Sequence, residues 1–357
     1  MATIAEVARR AGVSTATVSR VLNGKRVAPD YVAAVRTAVA ELSYSPDRTA
    51  RSLRRRYSDV VALVLPDIEN PFFTALARGV EDVAQDAGFS VVLCNSDDDP
   101  VKEARYLDIA VGDNMAGVIL APATASPALG VLLDRGRAVV VVDRPVQDAV
   151  DQVSLDNTAL GREATIRLLR AGRRRIACIT GPTGVSTAVD RARGWNEVMT
   201  AAGLQPKLLV HANFRVDGGR DALEQLLAAP EPPDAVLATN NLVGVGVLQA
   251  LHARGGPVTD DIGVAIIGDL PFATSPVDRL VLLPLHPRTI GTRAARMFFE
   301  RLRGLDAAPR HVVLPVGTEE ADGPDEPHGP DEADGPVEAA GSDGSGAAGA
   351  VAVVARA

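Results

Sequence analysis

Two patterns of hydrophobic and polar residues follow one another along this chain. Before residue 45, apolar residues recur at helical spacing, as in Ile4, Val7 and Ala8. From Val60 onwards, short runs of apolar, largely β-branched residues alternate with helical segments. Runs without polar alternation are typical of parallel strands that are buried on both faces. The pattern therefore predicts a helical N-terminal domain followed by a larger α/β core.

The apolar runs of the core indicate how many sheets it contains. Seven runs separated by helices favour two doubly wound parallel sheets over one. The runs are VVALVLP, FSVVLCN, AGVILAP, AVVVVDR, RIACITG, AVLATN and GVAIIGD, and a further strand-like stretch is HVVLPV.

The first 24 residues predict two short helices joined by a tight turn. Gly12 lies where the chain must turn, and Ser14 is placed to cap the second helix. Such a second helix can enter the major groove of DNA, with hydroxyls for phosphates and an arginine for guanine. An ordinary helical hairpin is the alternative. The residues left wholly or partly on its outer face are Thr15, Ala16, Thr17, Ser19 and Arg20.

The charge of the chain is unevenly distributed. The formal net charge is −8, yet residues 1–57 hold 11 Lys and Arg against 4 Asp and Glu. Residues 318–348 hold 10 Asp and Glu and no Lys or Arg. A basic N-terminal region on an acidic body concentrates the attraction for phosphate at the predicted reading helix. The charge distribution therefore agrees with DNA binding.

Several classes of protein do not fit the composition. No apolar run is long enough to span a membrane and no secretory signal precedes the helices, so we expect a cytoplasmic protein. Cys94 and Cys178 lie in apolar runs, which predicts buried thiols without a disulfide or metal role. The Gly-Pro-Thr-Gly stretch at 181–184 lacks the Gly-Lys-Ser/Thr ending of a phosphate loop. We therefore expect neither an enzyme nor a cofactor.

The N-terminal residues resemble the DNA-binding headpiece of the lactose/galactose-repressor (LacI-type) family. TIAEVARRAGVSTATVSRVLNG is close to the usual family opening, with Glu6 in place of the common Asp. The similarity continues through Asp30–Leu42 and Tyr44–Pro46 to a hinge helix near Ala50–Leu53. The resemblance implies a homodimeric transcriptional regulator, most simply a repressor, that binds a pseudo-palindromic operator. A small polar effector, expected to be a sugar, would control it allosterically.

The resemblance also implies how the operator is contacted. Arg20 would read guanine, and Leu53 would enter the central minor groove, with Ala50 allowing two hinge helices to approach. Asp47 replaces the commonest Asn, which predicts a weaker hinge contact. Alternatively, Leu53 is an ordinary exposed leucine in a linker. The expected DNA-binding residues are Ser14, Thr15, Ala16, Thr17, Ser19, Arg20, Asn23, Arg26, Arg51, Leu53 and Arg54.

For the core, the resemblance implies a periplasmic-binding-protein-like fold of two subdomains, joined by crossings near residues 156, 286 and 317. The expected parts are a headpiece (1–45), a hinge (46–57), an N-subdomain (58–156 and 287–317) and a C-subdomain (157–286 and 351–357). Residues 318–350 are rich in Gly, Pro and acidic residues, and we expect a disordered insertion there. A wholly frayed C-terminal tail is the alternative.

The effector is expected in the cleft, where polar and aromatic residues follow the strands. Two departures from the family pattern stand out: Asn241 replaces a common Asp, and Gly268-Asp269 lacks the usual aromatic residue. Phe stacking would accept a purine as well as a sugar. A solute-binding protein without a transcriptional role would use the same cleft but would have no headpiece. The expected effector-binding residues are Phe72, Phe73, Asp143, Arg191, Phe214, Asn240 and Asp269.

Overall fold

A computed structural model describes residues 2–22, 25–44, 57–254, 262–270 and 280–315. The predicted hinge up to residue 56 and the acidic C-terminal segment lie outside the described residues. So do four of the expected DNA-binding residues, namely Asn23, Arg51, Leu53 and Arg54.

The described part of the N-terminal domain consists of three helices, α1 (Ile4–Ala11), α2 (Thr15–Leu22) and α3 (Pro29–Glu41). Thr3 and Glu6 form a reciprocal capping box at the start of α1, in which Glu6 Oε2 accepts a hydrogen bond from Thr3 N at 2.7 Å. Gly12 ends α1 with a φ of 68°, a conformation that glycine adopts without strain. Ser14 Oγ then accepts a hydrogen bond from Thr17 N at 3.1 Å and caps α2.

A small apolar core holds these three helices together. Its fully buried centre is formed by Val7, Val18 and Val35, one from each helix. Because Val18 occupies the inner face of α2, Thr15, Ala16 and Arg20 are left exposed on the outer face, as the sequence pattern predicts.

The core of the protein contains two parallel sheets, which define two lobes. Within the described residues, the N-lobe holds a six-stranded sheet in the order β11-β5-β4-β3-β1-β2. Its strands are β1 (Val60–Leu65), β2 (Ser90–Asn95), β3 (Gly117–Leu120), β4 (Ala138–Val142), β5 (Asp151–Leu155) and β11 (His311–Leu314). Its helices are α4 (Pro71–Asp86), α5 (Pro100–Gly112), α6 (Gly130–Asp134) and α11 (Pro287–Leu302).

The C-lobe is built in the same way. Its described residues form a five-stranded parallel sheet in the order β10-β9-β8-β6-β7. Its strands are β6 (Ile176–Thr180), β7 (Leu209–His211), β8 (Ala235–Ala238), β9 (Gly263–Ile267) and β10 (Leu280–Leu283). Its helices are α7 (Asn157–Arg170), α8 (Ser186–Ala201), α9 (Val216–Leu227) and α10 (Asn241–Ala253).

The chain crosses between the lobes twice within the described residues. It passes from the N-lobe sheet to the C-lobe between Leu155 and Asn157, and it returns between Leu283 and Pro287. The third crossing, expected near residue 317, lies outside the described residues.

The strands differ from the sequence prediction in two respects. Strands β5, β7 and β10 are not among the predicted runs, because they are short or, as in Asp151–Leu155, contain polar residues. The prediction that the strands are buried on both faces is wrong for β2, where Val92 is 41% and Leu93 is 43% exposed. The reason is that β2 is an edge strand. The predicted burial of Cys94 and Cys178 is confirmed, and both thiols are free.

Candidate functional site

A cavity lies between the two lobes at the carboxyl ends of several strands. Its volume is about 40 Å³. Polar residues and aromatic rings both contribute to its wall. The lining residues are Asn70, Phe72, Phe73, Asp143, Arg144, Thr187, Arg191, Phe214, Asn240, Asn241, Ile267, Gly268 and Leu285.

The aromatic pair on the N-lobe side is set by the first turn of α4. Asn70 caps this helix, and its Oδ1 accepts a hydrogen bond from Phe72 N at 3.0 Å. The rings of Phe72 and Phe73 meet edge to face, with centroids 5.0 Å apart. The local cap therefore presents both predicted aromatic residues to the cavity.

Asp143 supplies a buried carboxylate to the cavity. It follows β4 directly with a φ of 65°, and only 6% of its surface is exposed. Burial raises the pKa of this carboxyl group, while the neighbouring guanidinium groups of Arg144 and Arg191 act in the opposite direction. Arg144 Nε lies 3.7 Å from Asp143 Oδ2, beyond hydrogen-bonding distance. Within the described part of the chain, the carboxylate thus has a cationic neighbour but accepts no side-chain hydrogen bond.

Arg144 is held against the same wall by the N-lobe. Its Nη1 donates to the Asp98 carboxylate and to the carbonyl oxygen of Pro122, the latter at 3.2 Å. Asp98 therefore balances the charge of Arg144 from outside the cavity lining. The formal charges of Arg144 and Arg191 are thus matched by those of Asp98 and Asp143, which leaves these four groups without a net charge.

Arg191 reaches the cavity from α8 and is 4% exposed. Its Nε donates to Asn157 Oδ1 at 2.8 Å, and its Nη1 donates to the carbonyl oxygen of Thr239 at 2.6 Å. Burial lowers the pKa of Arg191 to about 10, so the guanidinium remains charged at neutral pH. Helices α7 and α8 approach closely where Gly161 lies, since a Cβ there would be 2.0 Å from the Arg191 carbonyl oxygen. Both the backbone and the side chain of Arg191 are thus fixed.

Phe214 and Asn240 form the C-lobe part of the wall. Asn240 caps α10 through its Oδ1, which accepts a hydrogen bond from Val243 N at 2.8 Å. The amide nitrogen of the same side chain donates to the Phe214 carbonyl oxygen at 3.1 Å. One side chain therefore orders both the end of β8 and the segment that carries the aromatic ring.

Polar contacts join the lobes at this cavity, and Arg215 takes part in two of them, with Glu69 and, at 3.6 Å, with Asp67. Asn241 Nδ2 donates to Asn70 Oδ1 at 3.1 Å, a contact that the carboxylate of an Asp could not make. Arg215 Nη1 donates to Glu69 Oε2 at 2.9 Å and lies on the exposed side of the cleft. The lobes are therefore in contact through a buried amide pair and the ion pairs of Arg215.

Asp269 is the one expected effector residue that does not line this cavity. The chain turns at Gly268 with a φ of 123°, and Asp269 Oδ2 accepts a hydrogen bond from Leu285 N at 3.4 Å. Asp269 lies instead in an adjoining cavity, which it shares with Phe72 and Asn241. The structure brings together the other six expected residues.

The cavity is also lined by residues, both polar and apolar, that are not among the expected effector-binding residues. Asn70 and Arg144 could have been found from the sequence, because Arg144 directly follows Asp143 and Asn70 lies two residues before Phe72. Asn241 was noticed only as a departure from the family pattern. Thr187, in the first turn of α8, had no distinguishing pattern, and Leu285 follows a strand that was not predicted.

In the N-terminal domain, the outer face of α2 carries most of the described DNA-binding candidates. Thr17 and Ser19 are half-buried, and Thr17 Oγ1 lies 2.9 Å from Ser14 Oγ. Arg26, in the connection to α3, is exposed. An exposed arginine is thus available on a helix of the size that fits a major groove.

Comparisons with known proteins agree with this arrangement. Residues 3–47 match the family described as bacterial regulatory proteins of the lacI family. Residues 58–316 match the family described as periplasmic binding proteins and the sugar binding domain of the LacI family. The chain belongs to the LacI family. It is a DNA-binding transcriptional regulator with an effector domain.

Relatives and solved structures of similar proteins cover most of this LacI-family chain. A ribose operon repressor from Halalkalibacterium halodurans is 36% identical over 85% of this chain and 91% of its own length. A structure of the transcriptional regulator CelR with cellobiose is 32% identical, covers 88% of this chain and 98% of its own, and has a TM-score of 0.66. The lac repressor dimer bound to operator and an anti-inducer is 22% identical over 88% and 96%, and its TM-score of 0.78 shows the shared fold.

These relatives are regulators rather than enzymes. Within the described residues of this LacI-family protein, no group of three or more His, Cys, Asp or Glu is placed to hold a metal ion. None of the helices described has both the length and the hydropathy needed to cross a membrane.

Proposed function

We propose that this LacI-family regulator is a cytoplasmic, homodimeric repressor without enzymatic activity, and that a neutral sugar in the interlobe cavity controls its affinity for operator DNA. The observation that carries the choice of ligand is the buried Asp143 carboxylate, for which the described residues supply no recorded hydrogen-bond donor. The names of two similar proteins, a ribose operon repressor and a complex of CelR with cellobiose, support a sugar.

The polar groups of the cavity suit hydroxyl groups. A sugar hydroxyl both donates and accepts, so it can donate to Asp143 and accept from Arg191. The charges of Arg144 and Arg191 are opposed by Asp98 and Asp143, which favours a neutral ligand over an anionic one. The rings of Phe73 and Phe214 provide apolar surface for the faces of a sugar ring. A purine would also stack there, but it has fewer donors for the carboxylate.

The sugar would act by favouring one arrangement of the lobes. Ligand contacts to Asp143 in the N-lobe and to Arg191 in the C-lobe would add to the contacts Asn70–Asn241 and Arg215–Glu69. A ligand shifts such an equilibrium only by its differential affinity for the two arrangements, typically about 1–3 kcal/mol. We infer that the spacing of the paired hinges, and hence operator affinity, changes with this equilibrium.

DNA would be bound by the exposed face of α2 and by the hinge. Arg20 is the candidate for direct base readout, while Ser14, Thr17, Ser19 and Arg26 would position the headpiece on phosphates. Thr15 and Ala16 would contact base edges at the start of the helix. Binding of a basic headpiece to phosphates predicts a steep salt dependence.

The operator contact gives the first prediction. Selection of bound duplexes from a randomised pool should enrich a pseudo-palindrome. The Arg20→Ala variant should lose the preference for one base pair in each half-site. The reason is that a bidentate arginine contributes about 1–3 kcal/mol of discrimination between bases. Sequencing of the bound fraction measures this effect. Arg36→Ala, an exposed arginine on α3, is the matched control and should keep the preference. Enrichment of the same motif by Arg20→Ala would contradict the assigned role of Arg20.

The edge of the N-lobe sheet is the candidate dimer interface. Val92 and Leu93 expose apolar surface on β2, and Ile68 lies near the same edge, since its backbone N–H donates to Asn95 Oδ1 at 3.1 Å. An exposed apolar edge strand is a surface that proteins usually cover. A second copy related by a two-fold axis would cover it with the same surface.

This interface gives the second prediction. Leu93→Asp should shift the protein towards monomers, because a carboxylate would be buried in an apolar contact. Operator affinity should fall about a hundredfold or more, since two linked headpieces bind with an effective concentration that a monomer lacks. Sedimentation velocity measures the first effect. Val313→Asp, 49% exposed on the opposite edge strand β11, is the control. Dissociation by Val313→Asp alone would place the interface at the other edge.

A further inference from the structure

Gly181 lies against the aromatic ring that forms part of the effector cavity. It follows β6 directly and begins the Gly-Pro-Thr-Gly stretch, which has no phosphate-loop ending. We propose that Gly181 is a specificity-determining residue: it sets the width of the effector cavity by leaving room for the ring of Phe214. This inference rests on the proposed function, because it concerns the ligand of the same site.

The geometry leaves no space for a side chain at position 181. A Cβ atom there would lie 2.4 Å from Phe214 Cζ, 2.5 Å from Cε2 and 2.6 Å from Cε1. If the Cβ lay in the ring plane beyond Cζ, the two Cε atoms would be roughly 1 Å farther away than Cζ, given ordinary ring dimensions. The near equality of the three distances therefore places the Cβ over the face of the ring. Carbon atoms normally approach to about 3.5–4.0 Å, so the ring would have to move by about 1 Å.

The surrounding hydrogen bonds determine which partner moves. The carbonyl oxygen of Gly181 lies 2.8 Å from His211 Nδ1. The carbonyl oxygen of Thr180 accepts a hydrogen bond from Ala212 N at 2.8 Å. The backbone at position 181 is thus tied to the sheet on both sides of the peptide bond. The half-buried Phe214 ring is the movable partner.

We infer that the ring of Phe214 lies between Gly181 and the cavity. Phe214 lines the cavity, whereas Gly181 is absent from the described lining residues. A methyl group at position 181 would therefore drive the ring towards the ligand. Arg191 is held by its hydrogen bonds to Asn157 Oδ1 and to the Thr239 carbonyl oxygen, so this part of the wall would not move with the ring. The cavity would become too narrow for the ligand that the present residue admits.

The test compares two glycines of one loop. Gly181→Ala is the variant, and Gly184→Ala is the matched control, because a Cβ at position 184 would have no neighbour within 4 Å. D-ribose, D-glucose and cellobiose are the probes, titrated calorimetrically into the full-length protein. For whichever probe binds the wild type, Gly181→Ala should lower affinity about tenfold or more, the scale of overpacking by one methyl group. Gly184→Ala should leave the affinity unchanged.

A double-mutant cycle shows whether the ring transmits the effect. Phe214→Leu alone should weaken binding, and Gly181→Ala added to it should cause little further loss. Equal losses in both backgrounds would overturn the proposal, as would unchanged binding by Gly181→Ala.

The same double-mutant cycle, measured as melting temperatures in the absence of sugar, separates this inference from the proposed function. Gly181→Ala should lower the melting temperature in the presence of Phe214 and have little effect in the Phe214→Leu background. If no probe binds the wild type, the sugar proposal fails, and the melting cycle still decides whether Gly181 provides the space for the ring. Equal melting shifts in both backgrounds would overturn the role of Gly181 independently of any ligand.

Discussion

Asp143→Asn is expected to lower sugar affinity about a hundredfold, because hydrogen bonds to a charged acceptor contribute about 1.5–3 kcal/mol each. The substitution preserves the size of the side chain, removes its charge and replaces one acceptor oxygen by an NH2 group that donates. The buried carboxylate has no recorded hydrogen-bond donor from the described residues, so sugar hydroxyls would satisfy it. Calorimetric titration with D-ribose, D-glucose and cellobiose measures the loss.

The pH dependence of binding provides an independent measure of the same group. Burial raises the pKa of Asp143, so the carboxylate becomes protonated at a higher pH than an exposed Asp. Sugar affinity should therefore fall on acidification at a higher pH than the titration of an exposed Asp would cause, and Asp143→Asn should remove this dependence. Operator binding without sugar should persist in the variant, because the headpiece is not altered.

Asp134→Asn is the control for this prediction, since Asp134 is exposed on α6. It should bind sugar as the wild type does. If Asp143→Asn binds sugar with wild-type affinity, the carboxylate is not a ligand contact. If the wild type itself binds none of the sugars but binds a purine, the cavity is correctly located and its proposed ligand class is wrong.

Asp151→Asn is expected to lower the free energy of unfolding by about 3 kcal/mol, the scale of breaking a buried ion pair. The Asp151 carboxylate is fully buried at the start of β5. Its Oδ1 accepts hydrogen bonds from Arg301 Nη2 and Arg310 N, both at 2.8 Å. Its Oδ2 accepts from Arg301 Nε at 3.0 Å and from Arg310 Nη2 at 2.9 Å. Urea unfolding at neutral pH measures the change.

The effect of Asp151 should depend on pH in a defined direction. The hydrogen bonds of Arg301 and Arg310 outweigh burial and lower the pKa of Asp151 from 3.8 to about 2. The folded protein thus holds the proton less tightly than the unfolded chain, so this contribution is present above about pH 4 and is lost as the pH falls towards 2. The gap in unfolding free energy between wild type and Asp151→Asn should therefore narrow by about 2 kcal/mol over that interval.

Asp113→Asn serves as the reference, because Asp113 is exposed at the end of α5. Its difference from the wild type should stay small at every pH. A gap for Asp151→Asn that stays constant on acidification would mean that shape rather than charge explains its role.

The N-terminal domain could be predicted largely from sequence because its determinants are local. Gly12, Ser14 and the apolar spacing of α1 and α2 specify a turn, a cap and a buried face within a few residues. Eight of the eleven described strands were also recognisable, because strands that are buried on both faces read as continuous apolar runs. Their carboxyl ends meet at one edge of each sheet, which is why six of the seven effector candidates lie together.

The remaining features depend on contacts between distant segments. Asp151 lies in a polar strand that local pattern does not favour, and Arg301 and Arg310, about 150 residues later, make its burial tolerable. Asp269 leaves the cavity because of the turn at Gly268 and its contact with Leu285. Sequence spacing carries no information about either contact.

The family, the two-domain organisation, most of the strands and the sheet edge that carries the effector candidates could be read from the sequence, because they follow from a local motif, short-range periodicity and parallel-strand topology. Only the tertiary structure decided which side chains meet in the cavity, that Asp143 lacks a recorded hydrogen-bond donor there, and that Gly181 leaves room for Phe214. These features depend on distances between the lobes and between neighbouring strands, and such distances are set by packing rather than by local residue pattern.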